Sequence, residues 1–283
     1  MGPAEALDSI YAHVERFLHD NEVSETARLE VETIYRTTRG HEVIPIQDLQ
    51  RFAESARGTG GELAYSNALL TASAACRVSA RYEEGLTFVA KAFEQERAHK
   101  SEARLSRLLV AELRLHVAAG AFVRAEATLD RLMECSISAD DDFAQSELQS
   151  YKARIALETG DIAKASVAFG DVQTIPRTYS TRRRANSLAI RLRIRLHEGA
   201  TEEELRSLVS ELETEHLRVR GLGGHDFEAH ALYLGVCAIG DSNRGVQLLL
   251  EYVDNHRRSN WPLPGCIRQI VQDRGPPSNL LEN

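Results

Sequence analysis

The sequence is short of cysteine, lysine, proline and aromatic residues. Its four cysteines, Cys76, Cys135, Cys237 and Cys266, stand far apart with no C-x-x-C pair, which excludes a disulfide-dense scaffold, a zinc cluster and a thioredoxin-like motif. Pro 7 and 6% aromatic residues exclude collagenous and Pro-rich disordered classes. No apolar run approaches the roughly 18 residues of a membrane span. Met1-Gly2-Pro3-Ala4-Glu5 has no basic segment leading into an apolar one, so the expectation is a soluble, cytoplasmic chain with no membrane partner.

Several chemical signatures are also missing. The sequence contains no G-x-S-x-G, no G-x-x-x-x-G-K-[ST], no strand-linked G-x-G-x-x-G and no H-E-x-x-H. The expectation is therefore no enzyme, no cofactor and no metal. Against 42 acids stand 34 bases, a formal charge of -8, which repels a phosphate backbone and disfavours nucleic acid as a partner.

What is present is ordinary globular material, 43% hydrophobic and 27% charged, enough to bury a core. Apolar residues recur at three- and four-residue spacing from about residue 4 to 256, which predicts an all-α chain. The breakers Gly40, Ala80, Gly120, Gly160, Gly199 and Gly240 fall at intervals of 40, 40, 40, 39 and 41. Five positions after the last five breakers come Gly85, Ala125, Ala165, Glu204 and Gly245, and nine after them Val89, Leu129, Phe169, Leu208 and Leu249. Tyr82, Phe122 and Ile162 add a bulky group two positions on.

This pattern describes a helix hairpin. One helix ends at the breaker, the next begins just after it, a small residue permits close approach and a large one fills the seam. A hairpin alone leaves an apolar face uncovered, and stacked copies bury it. Gly120-Ala121-Phe122-Val123-Arg124-Ala125 with Leu129, and Gly160-Asp161-Ile162-Ala163-Lys164-Ala165 with Phe169, resemble the tetratricopeptide repeat (TPR) family. The likeness is strongest over 62–172 and extends over about 23–255. The repeat is longer than that family's usual one and lacks its helix-A marks. The resemblance implies a TPR-like α-solenoid, a right-handed superhelix of antiparallel hairpins whose concave groove binds peptides or protein segments.

The expected organisation is an N-terminal cap helix within 1–22, about six hairpins over 23–257 and a tail over 258–283 with at most one short helix, around Cys266 to Asp273. The first hairpin is atypical, its second helix opened by Pro45. The others are expected at 62–97, 101–135, 142–174, 180–216 and 225–257. Gly58-Thr59-Gly60-Gly61 and Gly221-Leu222-Gly223-Gly224 join hairpins.

The candidate site comes from arginine placement. Arg114, Arg154 and Arg193 stand six residues before successive turns, and Asn67, Arg107, Glu147 and Asn186 stand thirteen before. Equivalent positions of stacked hairpins lie side by side, so these form a ladder, flanked by Tyr151. Guanidinium forks bind carboxylate or phosphate bidentately, which suits a protein or peptide with acidic groups. The candidate partner-binding residues are Arg107, Arg114, Tyr151, Arg154, Asn186 and Arg193. The opposing reading makes the arginines solvated residues paired locally with acids such as Glu112 and Glu158.

Two other clusters have structural readings. The arginines at 177, 182, 183, 184, 191, 193 and 195 face seven glutamates between Glu198 and Glu215, so a basic and an acidic helix neutralise each other across one hairpin. His225, Asp226 and His230 lack a third ligand at helical spacing and suit capping and packing. The leading function is a non-enzymatic interaction module that binds a partner peptide or helix. The alternatives are an effector-sensing regulatory domain controlling an output domain, and a chaperone for a secreted or aggregation-prone protein. The sequence does not set the oligomeric state.

Overall fold

The computed structural model describes residues 3–20, 25–39, 43–96, 102–135, 142–170, 181–219 and 226–258. All regular structure among them is helical: α1 (Pro3–Asp20), α2 (Glu25–Arg39), α3 (Ile46–Val78), α4 (Tyr82–Glu96), α5 (Glu102–Ala118), α6 (Phe122–Glu134), α7 (Asp142–Glu158), α8 (Ile162–Gly170), α9 (Thr181–His197), α10 (Glu202–Val219), α11 (Asp226–Ala238) and α12 (Ser242–Arg258). The chain divides into two compact units, the first holding α1 to α8 and the second α9 to α12.

In the first unit each helix packs on the next, and α3 also touches α5. Leu49, Phe52, Leu69, Phe88 and Leu108 form one core cluster, and Leu109, Leu113, Leu129, Leu132 and Ile155 form another. Full burial of one such side chain is worth about 1.5–3 kcal/mol. In the second unit α9 packs on α10 and α11, α10 on α11, and α11 on α12. Its fully buried large side chains include Ile190, Leu192, Leu212 and Leu232.

The turns repeat atom for atom. After α3, α5, α7, α9 and α11 the chain closes with backbone bonds from Arg81 N to Cys76 O, Ala121 N to His116 O, Asp161 N to Ala156 O, Ala200 N to Arg195 O and Asp241 N to Val236 O. This six-residue closure needs a left-handed residue. Gly120, Gly160, Gly199 and Gly240 supply it with φ of 72°, 80°, 74° and 83°, while Ala80 holds it at φ 55°. Gly40 lies outside the described residues.

Each second helix then opens with the same bond: Gly85 N to Arg81 O, Ala125 N to Ala121 O, Ala165 N to Asp161 O, Leu205 N to Thr201 O and Gly245 N to Asp241 O. Three of these acceptor residues also cap with their side chains. Asp161 Oδ1 accepts from Lys164 N at 3.0 Å, Thr201 Oγ1 from Glu204 N at 3.3 Å and Asp241 Oδ1 from Arg244 N at 3.2 Å, as good N-caps do.

The expected seam holds except in the α9–α10 hairpin. Gly85, Ala125, Ala165 and Gly245 are buried, as are Val89, Leu129, Phe169, Leu208 and Leu249. Glu204 is the exception, half-exposed and paired with Arg195. The turn at Gly199 carries one additional residue before the cap, so the buried seam residue is Leu205. Counting from the glycine misplaced it; counting from the cap residue Thr201 restores the forty-residue spacing.

At Gly58–Gly61, expected to join two hairpins, the helical stretch from Ile46 to Val78 is two helices that meet at a kink, where Gly61 takes φ 69° and ψ -161°. Pro45 is the N-cap of that stretch, and Arg81 Nη1 donates to Ile44 O at 2.8 Å, tying the far end of α3 to the approach to its start. Gly221–Gly224 and the tail helix expected at 266–273 lie outside the described residues.

Candidate functional site

Arg114, Arg154 and Arg193 each stand two residues before the carbonyl that closes the turn, so they are equivalent positions of α5, α7 and α9. Their surroundings differ.

In the first unit, Arg114 reaches from α5 to α7. Its Nε donates to Tyr151 Oη at 3.1 Å and an Nη to Glu147. The Tyr151 oxygen, together with the Glu147 carboxylate and against the effect of burial, raises the Arg114 pKa above its ordinary value, so the group is a fixed cation. Tyr151 is held in turn by half-burial against the core cluster of Leu113 and Leu148. Arg107 lies two turns before Arg114 on the same side of α5 and is exposed. Arg154 is half-buried on α7.

Arg193 belongs to the second unit and does not line an open face. It is 7% exposed, with its guanidinium carbon 5.3 Å from the ring centroid of Phe227 on α11, a cation–π packing contact. Asn186, two turns before it, is half-exposed. The first unit thus brings Arg114 and Tyr151 together on a face that also carries Arg107. Glu147, which sequence reasoning placed in the ladder without a role, completes the cluster. A separation of 33 residues, one repeat forward and two turns back, is the signal for that pairing.

Of the acids in the opposing reading, Glu112 turns to partners other than the ladder arginines. Glu112 pairs with Arg131 at 3.2 Å and lies 3.9 Å from the buried His116 ring. Arg131 also covers the Phe93 ring at 5.8 Å. Burial pushes the His116 pKa down, against Glu112, with Arg124 adding to the depression.

The basic helix and the acidic helix neutralise each other in part, through Arg195 and Arg184, while Glu202 pairs with Arg206 of its own helix and Glu213 with Arg244 of α12. Arg195 grips Glu204 with two bonds of 2.7 and 2.8 Å and Glu198 with one of 2.6 Å. Hydrogen bonding from Arg195 pulls the Glu204 carboxyl below its ordinary value. Arg184 and Arg218 converge on the buried Glu215 at 2.9 and 3.1 Å. Arg177 and the side chain of Arg182 lie outside the described residues.

His225 and the Asp226 side chain do as well, and α11 begins at Asp226. Among the described residues no group of three or more His, Cys, Asp or Glu is placed to hold a metal ion. Burial lifts the Cys76 thiol to about 12, which makes it inert rather than nucleophilic. A cleft of about 190 Å³ between α2 and α3, flanked by Glu32, Arg36, Asp48 and Arg51, was not legible in the sequence. Arg36 pairs with Glu32 at 3.2 Å and Arg51 with Asp48 at 3.7 Å. No helix among the described residues is long and apolar enough to cross a membrane.

The chain matches no known protein-family model and no curated protein.

Proposed function

We propose that this chain is a non-enzymatic, cytoplasmic interaction module, a TPR-like solenoid that takes a partner's acidic peptide or helix on the faces of its first helices. The observation that carries the reading is the bridge from Arg114 to Tyr151 and Glu147, residues 37 and 33 positions apart. It joins successive hairpins along one face and holds a cation there beside exposed Arg107. Lys164 and Glu126, 38 positions apart, pair in the same way between α8 and α6. Residues close to one repeat apart are therefore neighbours, as in stacked hairpins. A face with Arg107, Arg114 and Glu147 on it favours polar recognition over the long apolar strip that a chaperone needs.

The test is affinity capture from a cell extract by the wild-type chain and by an Arg107→Glu/Arg114→Glu variant, with mass spectrometric identification. The expected result is a partner retained by the first and lost by the second while helical circular dichroism is unchanged. A partner held equally by both overturns the reading.

A further inference from the structure

The arginine face of the first unit already carries a carboxylate, and the chain itself supplies it. Glu147 from α7 pairs with Arg114 from α5 while Tyr151 Oη accepts from Nε on the same edge of the guanidinium. The two charged side chains are 42% and 25% exposed. An ion pair this open to water favours its closed form by only about two- to fivefold, so a carboxylate arriving from solvent competes on nearly equal terms.

We propose that Glu147 stands in for a partner's carboxylate on Arg114, and that the partner is an extended acidic segment whose carboxylates recur about 10 Å apart. One carboxylate replaces Glu147; the next reaches Arg107. The inference rests on the interaction reading above and specifies its ligand.

The spacing follows from the helix. Arg107 and Arg114 are seven residues apart, which in an α-helix is about 10 Å along the axis with a rotation of only about 20° from the same face. An extended peptide in the polyproline II form advances about 3.1 Å per residue with three residues per turn, so acids three positions apart lie on one side about 9 Å apart and match the two arginines. Competition with Glu147 makes the second contact decisive. A single carboxylate exchanges one ion pair for an equivalent one and gains little, whereas two linked carboxylates add Arg107 at high effective concentration. Tyr151 keeps the guanidinium plane fixed through the exchange by holding Nε. Glu147 thereby sets specificity, rejecting isolated acids in a molecule whose net charge of -8 already repels them.

The experiment titrates the full chain with two fluorescent glycine-based hexapeptides of equal charge, one with its two glutamates three positions apart and the other with them adjacent. The wild type is expected to prefer the spaced peptide. Glu147→Gln should bind it about two- to fivefold more tightly, Arg107→Gln should lose the preference, and Arg114→Gln should lose binding. Circular dichroism of each variant reports that the fold is kept. Equal or weaker binding by Glu147→Gln overturns the stand-in role, and equal binding of the two isomers overturns the spacing. Binding of neither peptide by wild type or Glu147→Gln overturns the proposal as a whole. The broader reading falls with it only if the partner captured from extract also survives reversal of Arg107 and Arg114.

Discussion

The Cβ that Gly85 lacks would stand 2.6 Å from Leu115 Cδ2 and 3.2 Å from Cys76 Cβ. Leu115 is 1% exposed and Cys76 fully buried, so neither has room to retreat. Alanine normally gains up to about 1 kcal/mol over glycine inside a helix, but overpacking here costs about 1–3 kcal/mol. Gly85→Ala should therefore lower stability in denaturant titration. Gly58→Ala, whose new methyl group meets nothing within 4 Å, should raise it by about 0.5–1 kcal/mol. The same sign for both would contradict the seam.

Ala125 and Ala165 occupy the equivalent place on α6 and α8 and are fully buried. Replacement of either by leucine should cost about 1–3 kcal/mol, read as a fall in melting temperature. Val123→Leu, at a site 84% exposed, serves as the neutral control.

Ala80 holds a left-handed conformation at φ 55° where the other four turns use glycine. Such a conformation costs an L-residue roughly 1–2 kcal/mol. Ala80→Gly should recover about 1 kcal/mol, and Gly160→Ala should lose about as much. Chemical denaturation of both variants checks the opposite signs.

His116 is buried, and its folded pKa lies below its ordinary value. The unfolded chain therefore binds the proton more readily, and stability contributed by the neutral ring is lost as pH falls through about 6.5. Glu112 and Glu83 oppose the depression and Arg124 deepens it. Unfolding free energies at about pH 7.5 and about pH 5.5 should differ more in the wild type than in His116→Gln. An unchanged difference would place the acid sensitivity elsewhere.

Glu215 is 3% exposed and lies between Arg184 and Arg218. Arg184→Ala removes one cation from a carboxylate shut away from water. With Arg218 still in place the expected loss is about 1–3 kcal/mol. Glu215→Gln in the same background should return part of it, as a double-mutant cycle by denaturation would show.

Helix content and the turn positions were legible because glycine at a helix end and a fixed period are local signals. The seam of α10 falls one residue beyond Glu204 because the turn at Gly199 carries Ala200 before the cap residue Thr201. The capping residues Asp161, Thr201 and Asp241 keep the better count, since a cap fixes where the following helix starts. Arg193 and Arg114 looked alike in sequence. What separates them is the ring of Phe227, more than thirty residues further on, and no helical periodicity encodes that approach. Glu147 was visible as a ladder residue, but its reach to Arg114 needed the packing of α5 beside α7.

The recurrence of Tyr82, Phe122, Ile162, Glu202 and Ser242 as first residues of α4, α6, α8, α10 and α12 gives the chain a quantum of length. Excising residues 121–160 would join Gly120 to Asp161, pair α5 with α8 and bring Ala165 to the seam that Ala125 now fills. Lengthening or shortening by that quantum changes how many hairpins the chain has and leaves their phase alone. A loss of one residue fewer would leave one additional residue in the turn before Asp161, as Ala200 stands before Thr201, where the following helix still closes the seam with Leu205.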